Sequence, residues 1–423
     1  MKEDFLHYIW QHQKFNTANL KTTAGETITI VSVGQHNTNS GPDFFNAQLK
    51  INNQLWAGNV EIHIKSSDWF LHNHEQDMAY DNVILHVVWE HDTNIYRKDQ
   101  TAIPTLEIKH FVEKTALKNY HKLFYRSTKW INCEHDFKTI DDFTIQNWLE
   151  RLYFERLERK AKDINQLLKT SKNNWEAALF KMLAKNFGLK VNGDAFLSVA
   201  NSMDFSIVRK LQNNQTHLEA LFFGQANLLN SDTQDAHFQS LVKTYQFLKQ
   251  KFALNSNTNT PVLFFRLRPP NFPTIRLSQL ASLYSKEHNL FSKLNQTNNI
   301  EEFYELFTVE TSPYWATHYS FGKASKKSKK QLTKAFVDLL MINTIIPIKF
   351  AYAKYQGKPI EDHVVALMQC IASEKNSIIE KFNTLKQTTT SALQSQGLLE
   401  LKSAYCNKNK CLQCAIGNTL LKK

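Results

Sequence analysis

The sequence contains no run of 18 or more apolar residues, so it offers no membrane-spanning helix. Its opening residues, MKEDFLHYIWQHQKF, lack the long apolar stretch of a secretory signal. Glycine (11) and proline (9) are scarce among 423 residues, and no proline falls between Pro104 and Pro261. That span is therefore free of the residue that most often breaks helices. No repeat of fixed period is present, which excludes a solenoid, and no long low-complexity linker interrupts the chain. Cysteine is limited to five residues, an odd number with three crowded near the C-terminus. That pattern argues against a disulfide framework and for metal binding. Together these absences predict a soluble chain in the reducing cytoplasm.

Against them stands an excess of positive charge. The formal net charge is +12, and the pI is about 9.2. Such a balance favours anionic partners, nucleic acid first, with DNA and RNA both open. The length predicts two domains or more. Residues 3–13 place Phe5, Leu6, Ile9 and Trp10 on one helical face. TITIVSV (27–33), FFNAQLKI (44–51) and residues 55–65 read as strands, with Asn52-Asn53 as a turn. Ser66-Ser67-Asp68 is an N-cap cluster that predicts a helix to about Tyr80. VILHVVW (83–89) is a strand buried on both faces, and 103–109 adds another. The order is helix, three strands, helix, strand. From about residue 115 the periodicity turns helical, over 142–171, 174–187, 217–228, 236–252, 331–346, 361–372 and 374–398, with Gly188 as a stop. The expected architecture is an α/β domain over 1–115 followed by a mostly α-helical, basic domain over 116–423.

The chemistry concentrates in Gly41-Pro42-Asp43-Phe44 and Val60-Glu61-Ile62-His63-Ile64-Lys65. The hairpin around Asn52-Asn53 brings Asp43 towards Glu61. Strand alternation puts Glu61, His63 and Lys65 on one face. Two carboxylates there suit Mg2+ or Mn2+, which polarise a phosphate and lower the pKa of bound water. A neighbouring base orients or deprotonates that water. Eleven of the 16 histidines fall in the first 135 residues. His72 and His74 are candidates for phosphate contact. With Asp77 they form an alternative zinc set, the basis of a zinc-dependent hydrolase.

This arrangement resembles the Pro-Asp…Asp/Glu-x-Lys nuclease superfamily over about the first 95 residues. The resemblance implies a restriction-endonuclease-like αβββαβ core and hydrolysis of phosphodiester bonds. Where that family has Glu-x-Lys this chain has Glu61-x-His63, with Lys65 two residues later. Either His63 takes the lysine's place or Lys65 reaches in; the position after Glu61 favours His63. The departure keeps open a catalytically inactive nucleic-acid binder of the same fold. Gln76-x-x-x-Tyr80 resembles the phage-exonuclease-like and helicase-associated branch, which implies substrate contact by both side chains.

Cys406-x4-Cys411-x2-Cys414 ends the chain among Lys408, Lys410, Lys422 and Lys423. Three thiolates leave a tetrahedral site one ligand short, and Cys133 in WINCEHD is the best fourth. Cys370 reads as a small core residue. One distant cysteine plus a C-terminal trio resembles the iron–sulfur staple of some recombination and CRISPR-associated nucleases. Zinc would serve the same pinning role. FFRLRPPNFPTIRL (264–277) sets Arg266, Arg268 and Arg276 among aromatics, a candidate phosphate- and base-contacting stretch. SPYWATHYSFGK (312–323) reads as a second aromatic loop, and KASKKSKK (323–330) as a solvated basic loop. Over nearly its full length the chain resembles an uncharacterised bacterial family of unknown function. The strings that carry this are GPDF, GNVEIHIKSSDW, NVILHVVW, FRLRPPNFPTIRLSQLA, INTIIPIKFAYAK and the CxxxxCxxCAIG end.

Overall fold

The computed structural model describes residues 1–124 and 129–422; Lys423, named above, lies outside them. The chain divides into two compact units. One comprises 1–148, 380–388 and 399–423, and the other 149–379 and 389–398. The sequence reading cut the chain once, near residue 115. Contacts instead group the cysteine-bearing end with the sheet.

The first unit is built on a mixed seven-stranded sheet. Helix α1 (Glu3–Gln11) buries Phe5, Leu6, Ile9 and Trp10, with acidic Glu3 and Asp4 in its first turn. That is the end of a helix at which negative charge is favoured. Strands β1 (Leu20–Lys21), β2 (Thr27–Ser32), β3 (Gln35–His36), β4 (Phe44–Ile51) and β5 (Gln54–Lys65) pair antiparallel. Asn52 and Asn53 both take positive φ, 48° and 67°. These are the left-handed residues of a two-residue hairpin turn between Ile51 and Gln54.

Strand β5 changes character along its length. Residues 54–57 are exposed and 60–63 are buried. Over that second half β5 also pairs parallel with β6 (Val83–Glu90), which in turn pairs parallel with β7 (Thr105–Glu107). β6 is buried on both faces from Val83 to Val88, as its apolar run predicts. The helix expected over 68–80 is not continuous. It reduces to α2 (Asp68–Leu71) and two single turns, His74–Gln76 and Met78–Tyr80. Asn73, at φ 59°, breaks it, and Asp77 caps the second turn by accepting from the Ala79 N–H. Helix α3 (Lys114–Phe124) follows the sheet and buries Ala116, Tyr120 and Leu123.

The second unit is helical around a large core that includes Phe180, Phe222, Tyr284, Trp315 and Ile345. Its only strands among the described residues are the short pair β8 (His318–Ser320) and β9 (Lys323–Ala324). Among the described residues one helical stretch, Lys334–Tyr355, is long and apolar enough to cross a bilayer. It is 72% buried over its most apolar window, as befits a core helix.

Candidate metal centre

The loop before β4 places the first carboxylate. The Asn37 side-chain amide donates to the carbonyls of Asn39, Ser40 and Pro42 at 3.1 Å each, and the Asn37 N–H donates to the Asp43 carbonyl at 2.7 Å. One asparagine thus folds the Gly41-Pro42-Asp43 turn onto β4. Phe44 pairs with Val60 across the hairpin, which sets Asp43 beside Glu61. The two acids then hold each other's strand. The Asp43 N–H donates to Glu61 Oε2 at 3.0 Å, and the Ile62 N–H donates to Asp43 Oδ2 at 3.0 Å.

The other Glu61 oxygen faces imidazoles. His74 Nε2 lies 3.3 Å and His63 Nε2 3.6 Å from Glu61 Oε1. His63 Nε2 is also 3.1 Å from His72 Nδ1. His63, His72 and His74 each turn one ring nitrogen into a group whose atoms all lie within 4.8 Å of one another. The left-handed Asn73 between His72 and His74 lets both rings turn the same way. Behind the group, His63 Nδ1 is 2.8 Å from His86 Nε2. When His63 donates there, its Nε2 lone pair points at His72, His74 and Glu61, the tautomer a metal ligand requires. In front, His7 Nε2 from α1 lies 3.1 Å from Asp43 Oδ2. The Tyr80 ring stacks on His74 at 3.8 Å.

The electrostatics of this cluster are those of carboxylates and imidazoles buried side by side. Burial, then the neighbouring Asp43 charge, raises Glu61 well above the usual carboxylate range. Burial, then His86, His74 and His72, depresses His63 to about 2. Burial, then His74 and His91, lowers His86 to about 3. Burial, then Glu61 and Asp43, lifts Tyr80 to about 12. Burial opposes the charge on His7, yet Asp43, with Glu3 and Asp4 beyond, outweighs it and raises its pKa. Among the described residues the ion-pair partners of Asp43 and Glu61 are histidines, with no lysine or arginine. A divalent cation would favour the ionised carboxylates and the neutral imidazoles at once.

The other expected site residues fall variously. Lys65 is exposed, opposite Glu90 and two residues along the strand from His63. Asp77 acts as a cap, as described above, and its carboxylate is therefore spent on the backbone. Gln76 is exposed and turned towards Glu75, while Tyr80 is buried against His74. With the helix broken, Gln76 and Tyr80 no longer share a helical face.

In the second unit, Arg276 is a core residue rather than a phosphate contact. It is 8% exposed, lies over Phe336 at 3.7 Å, and donates to Gln279 and Asn271. Arg266 and Arg268 are exposed, and Arg266 stands in a turn at φ 62°. Trp315 and Lys330, assigned to loops, are buried, with the Lys330 ammonium donating to the carbonyls of Trp315 and Ala316. A carbonyl-lined interior offers an ammonium the hydrogen bonds that solvent otherwise supplies. His7 and the orienting role of His86 were missed. The only signal for either was a histidine set among apolar core positions of an element packed on β5.

No curated protein and no solved structure matches the chain. The strings GPDF, GNVEIHIKSSDW and NVILHVVW, which build the centre, lie inside a longer match to one family model. That model is described as a protein of unknown function (DUF2851) and covers residues 3–377, so the chain belongs to that family.

Proposed function

We propose that this chain is a metal-dependent hydrolase of phosphodiester bonds in nucleic acid, with a restriction-endonuclease-like core. The observation that carries the reading is the pair of bonds that sets the two carboxylates together, Asp43 N–H to Glu61 and Ile62 N–H to Asp43, with three imidazole nitrogens converging beside Glu61. An antiparallel β2–β4–β5 set continued by parallel β6 supports the fold. The net charge of +12 supports the substrate. The sequence pointed to Mg2+ or Mn2+. The donor set instead suits zinc or iron, because imidazole ligands favour those metals and magnesium prefers oxygen. His63, His72, His74 and Glu61 would hold the ion, which supplies Lewis-acid polarisation of phosphate and an acidified water. Asp43 keeps Glu61 in place. His7, its proton affinity raised by Asp43, is placed to carry a proton at the rim. Beside it a groove of about 560 Å3 is lined by Asp4, His7, His12, His36, Lys408 and Lys410, and its two lysines offer the positive charge that a phosphate backbone would meet.

The deciding assay incubates the purified chain, loaded in turn with zinc, iron, manganese and magnesium, with labelled single- and double-stranded DNA and RNA. Metal-dependent cleavage that falls at least about 100-fold in Glu61→Gln and His74→Ala is expected. Cleavage unchanged in Asp43→Ala and Glu61→Ala would rule the centre out. A second reading rests on Lys65, which stands outside the cluster and leaves the position that is lysine in the resembled nuclease superfamily to a neutral His63. It is a binder that kept the fold and lost the chemistry. Tight, salt-sensitive binding with no cleavage under any metal would select it.

A further inference from the structure

The first unit gathers a second set of metal-ligating side chains. Cys406 opens the turn Cys406–Lys408, Cys411 opens the turn Cys411–Gln413, and Cys414 precedes the terminal helix Ala415–Lys422. Cys133 arrives from the segment after α3. All four are free thiols and line one apolar cavity with Leu401 and Ile416. The fifth cysteine, Cys370, is exposed and belongs to the other unit.

A hydrogen-bond donor aims at one of these sulfurs. The Asn132 side-chain amide lies 3.3 Å from Cys411 Sγ. A donor of this kind orients a sulfur and suits the thiolate that a bound metal would require. Cys414 itself leads directly into the terminal helix, whose first residues Ala415, Ile416 and Gly417 follow it. The backbone is shaped for the approach. A Cβ at Gly417 would sit 2.0 Å from the Cys411 carbonyl oxygen, so only glycine lets the terminal helix close on the Cys411 turn.

Spacing then chooses between metals. Tetrahedral zinc, with Zn–S near 2.3 Å, draws its four sulfurs to roughly 3.8 Å from one another. Among the described residues the one group of three ligand atoms lying mutually within 4.8 Å is His63, His72 and His74, and no three of the cysteine sulfurs form another. A four-iron cube takes one thiolate at each corner iron and holds its sulfurs farther apart.

We propose that Cys133, Cys406, Cys411 and Cys414 bind a [4Fe–4S] cluster, one thiolate to each iron, which fastens the C-terminal turns to the segment after α3. Its role is structural, and it stands independently of the phosphodiester reading.

The test is to purify the full chain without oxygen and to assay iron, acid-labile sulfide and zinc. A brown protein is expected, with a broad visible band bleached by dithionite and about four irons and four sulfides per chain. Cys133→Ser and Cys411→Ser should lose this complement, and Cys370→Ser should keep it. A serine variant that fails to fold would also lose colour, so the electron paramagnetic resonance signal of the dithionite-reduced wild-type chain is the companion measurement. Three outcomes overturn the proposal. One is a colourless protein with a single zinc, before and after reconstitution with ferrous iron and sulfide. Another is a chain that binds neither metal. The last is full iron retention in Cys133→Ser.

Discussion

His63 shows how one residue can redirect a site. A lysine at its position would bring a cation to the carboxylates. A buried imidazole brings a lone pair and stays neutral. Its aim depends on His86, which is fully buried and bonded to His63 Nδ1. Outer-sphere partners of this kind are worth about 10- to 100-fold in metal affinity. His86→Phe should therefore weaken zinc binding by that range while leaving the far-ultraviolet circular dichroism unchanged. Competition against a chromophoric chelator would read it, and undiminished affinity would deny His86 the role.

Glu61 gives a pH prediction with a definite sign. Its pKa is raised, so without metal the carboxyl keeps its proton at neutral pH, and a cation must displace it. Metal uptake should then release a proton, and affinity should climb as pH rises towards the folded pKa. Calorimetry in buffers of different ionisation enthalpy measures the release, which Glu61→Gln should abolish. Uptake at neutral pH with no proton released would show that Glu61 is not displaced by the ion.

At the scale of elements, β5 carries the design. It is antiparallel to β4 over Gln54–Val60 and parallel to β6 over Asn59–Lys65, so Glu61 and His63 lie just past the point where the two pairings meet, opposite His86 and Val88 of β6. The approach to β6 needs Gly58, where a Cβ would meet Ile84 Cγ2 at 2.5 Å and the Asn82 carbonyl oxygen at 2.6 Å. Gly58→Ala should cost about 1–3 kcal/mol by overpacking. Because Gly58 lies three residues before Glu61, the substitution should also loosen metal binding. Urea denaturation of the metal-free chain checks the first effect, and a stability equal to wild type would show that the strands part without cost.

Strands of this kind were legible in the sequence, since alternation and the Asn52-Asn53 turn are local signals. The helix expected through Tyr80 was not. Nothing in its periodicity reveals that Asn73 turns left-handed or that Asp77 caps a new turn, and those two events deliver His72 and His74 to one point. Gly188 likewise promised a stop. It does end the helix Trp175–Phe187 as its C-cap, but the helix Leu189–Asn201 follows at once, and Leu189 rather than the glycine takes positive φ.

At the scale of the whole molecule, the pairing of distant segments was only partly legible. The sequence tied Cys133 to the C-terminal trio by the count of ligands alone. The structure extends that tie, because residues 399–423 belong to the sheet-bearing unit and Leu421 sits in its core at 3% exposure. Long-range packing of this kind leaves no periodic trace, since each partner segment is locally an ordinary short helix or turn. It does make a prediction. A chain ending at Leu398 loses Leu421, three of the four clustered cysteines and the Lys402 ammonium that donates to the Trp130 carbonyl at 3.0 Å. Each loss falls on the unit that holds the histidine centre. Hydrogen exchange should then quicken at least about 10-fold in the amides of β4, β5 and β6 relative to the full chain, the mark of easier local opening. The amides of helix Trp175–Phe187, which belongs to the other unit, serve as the internal reference. Equal exchange in β4–β6 with and without residues 399–423 would show that the sheet stands without its C-terminal segment, and that the cysteine site braces only itself.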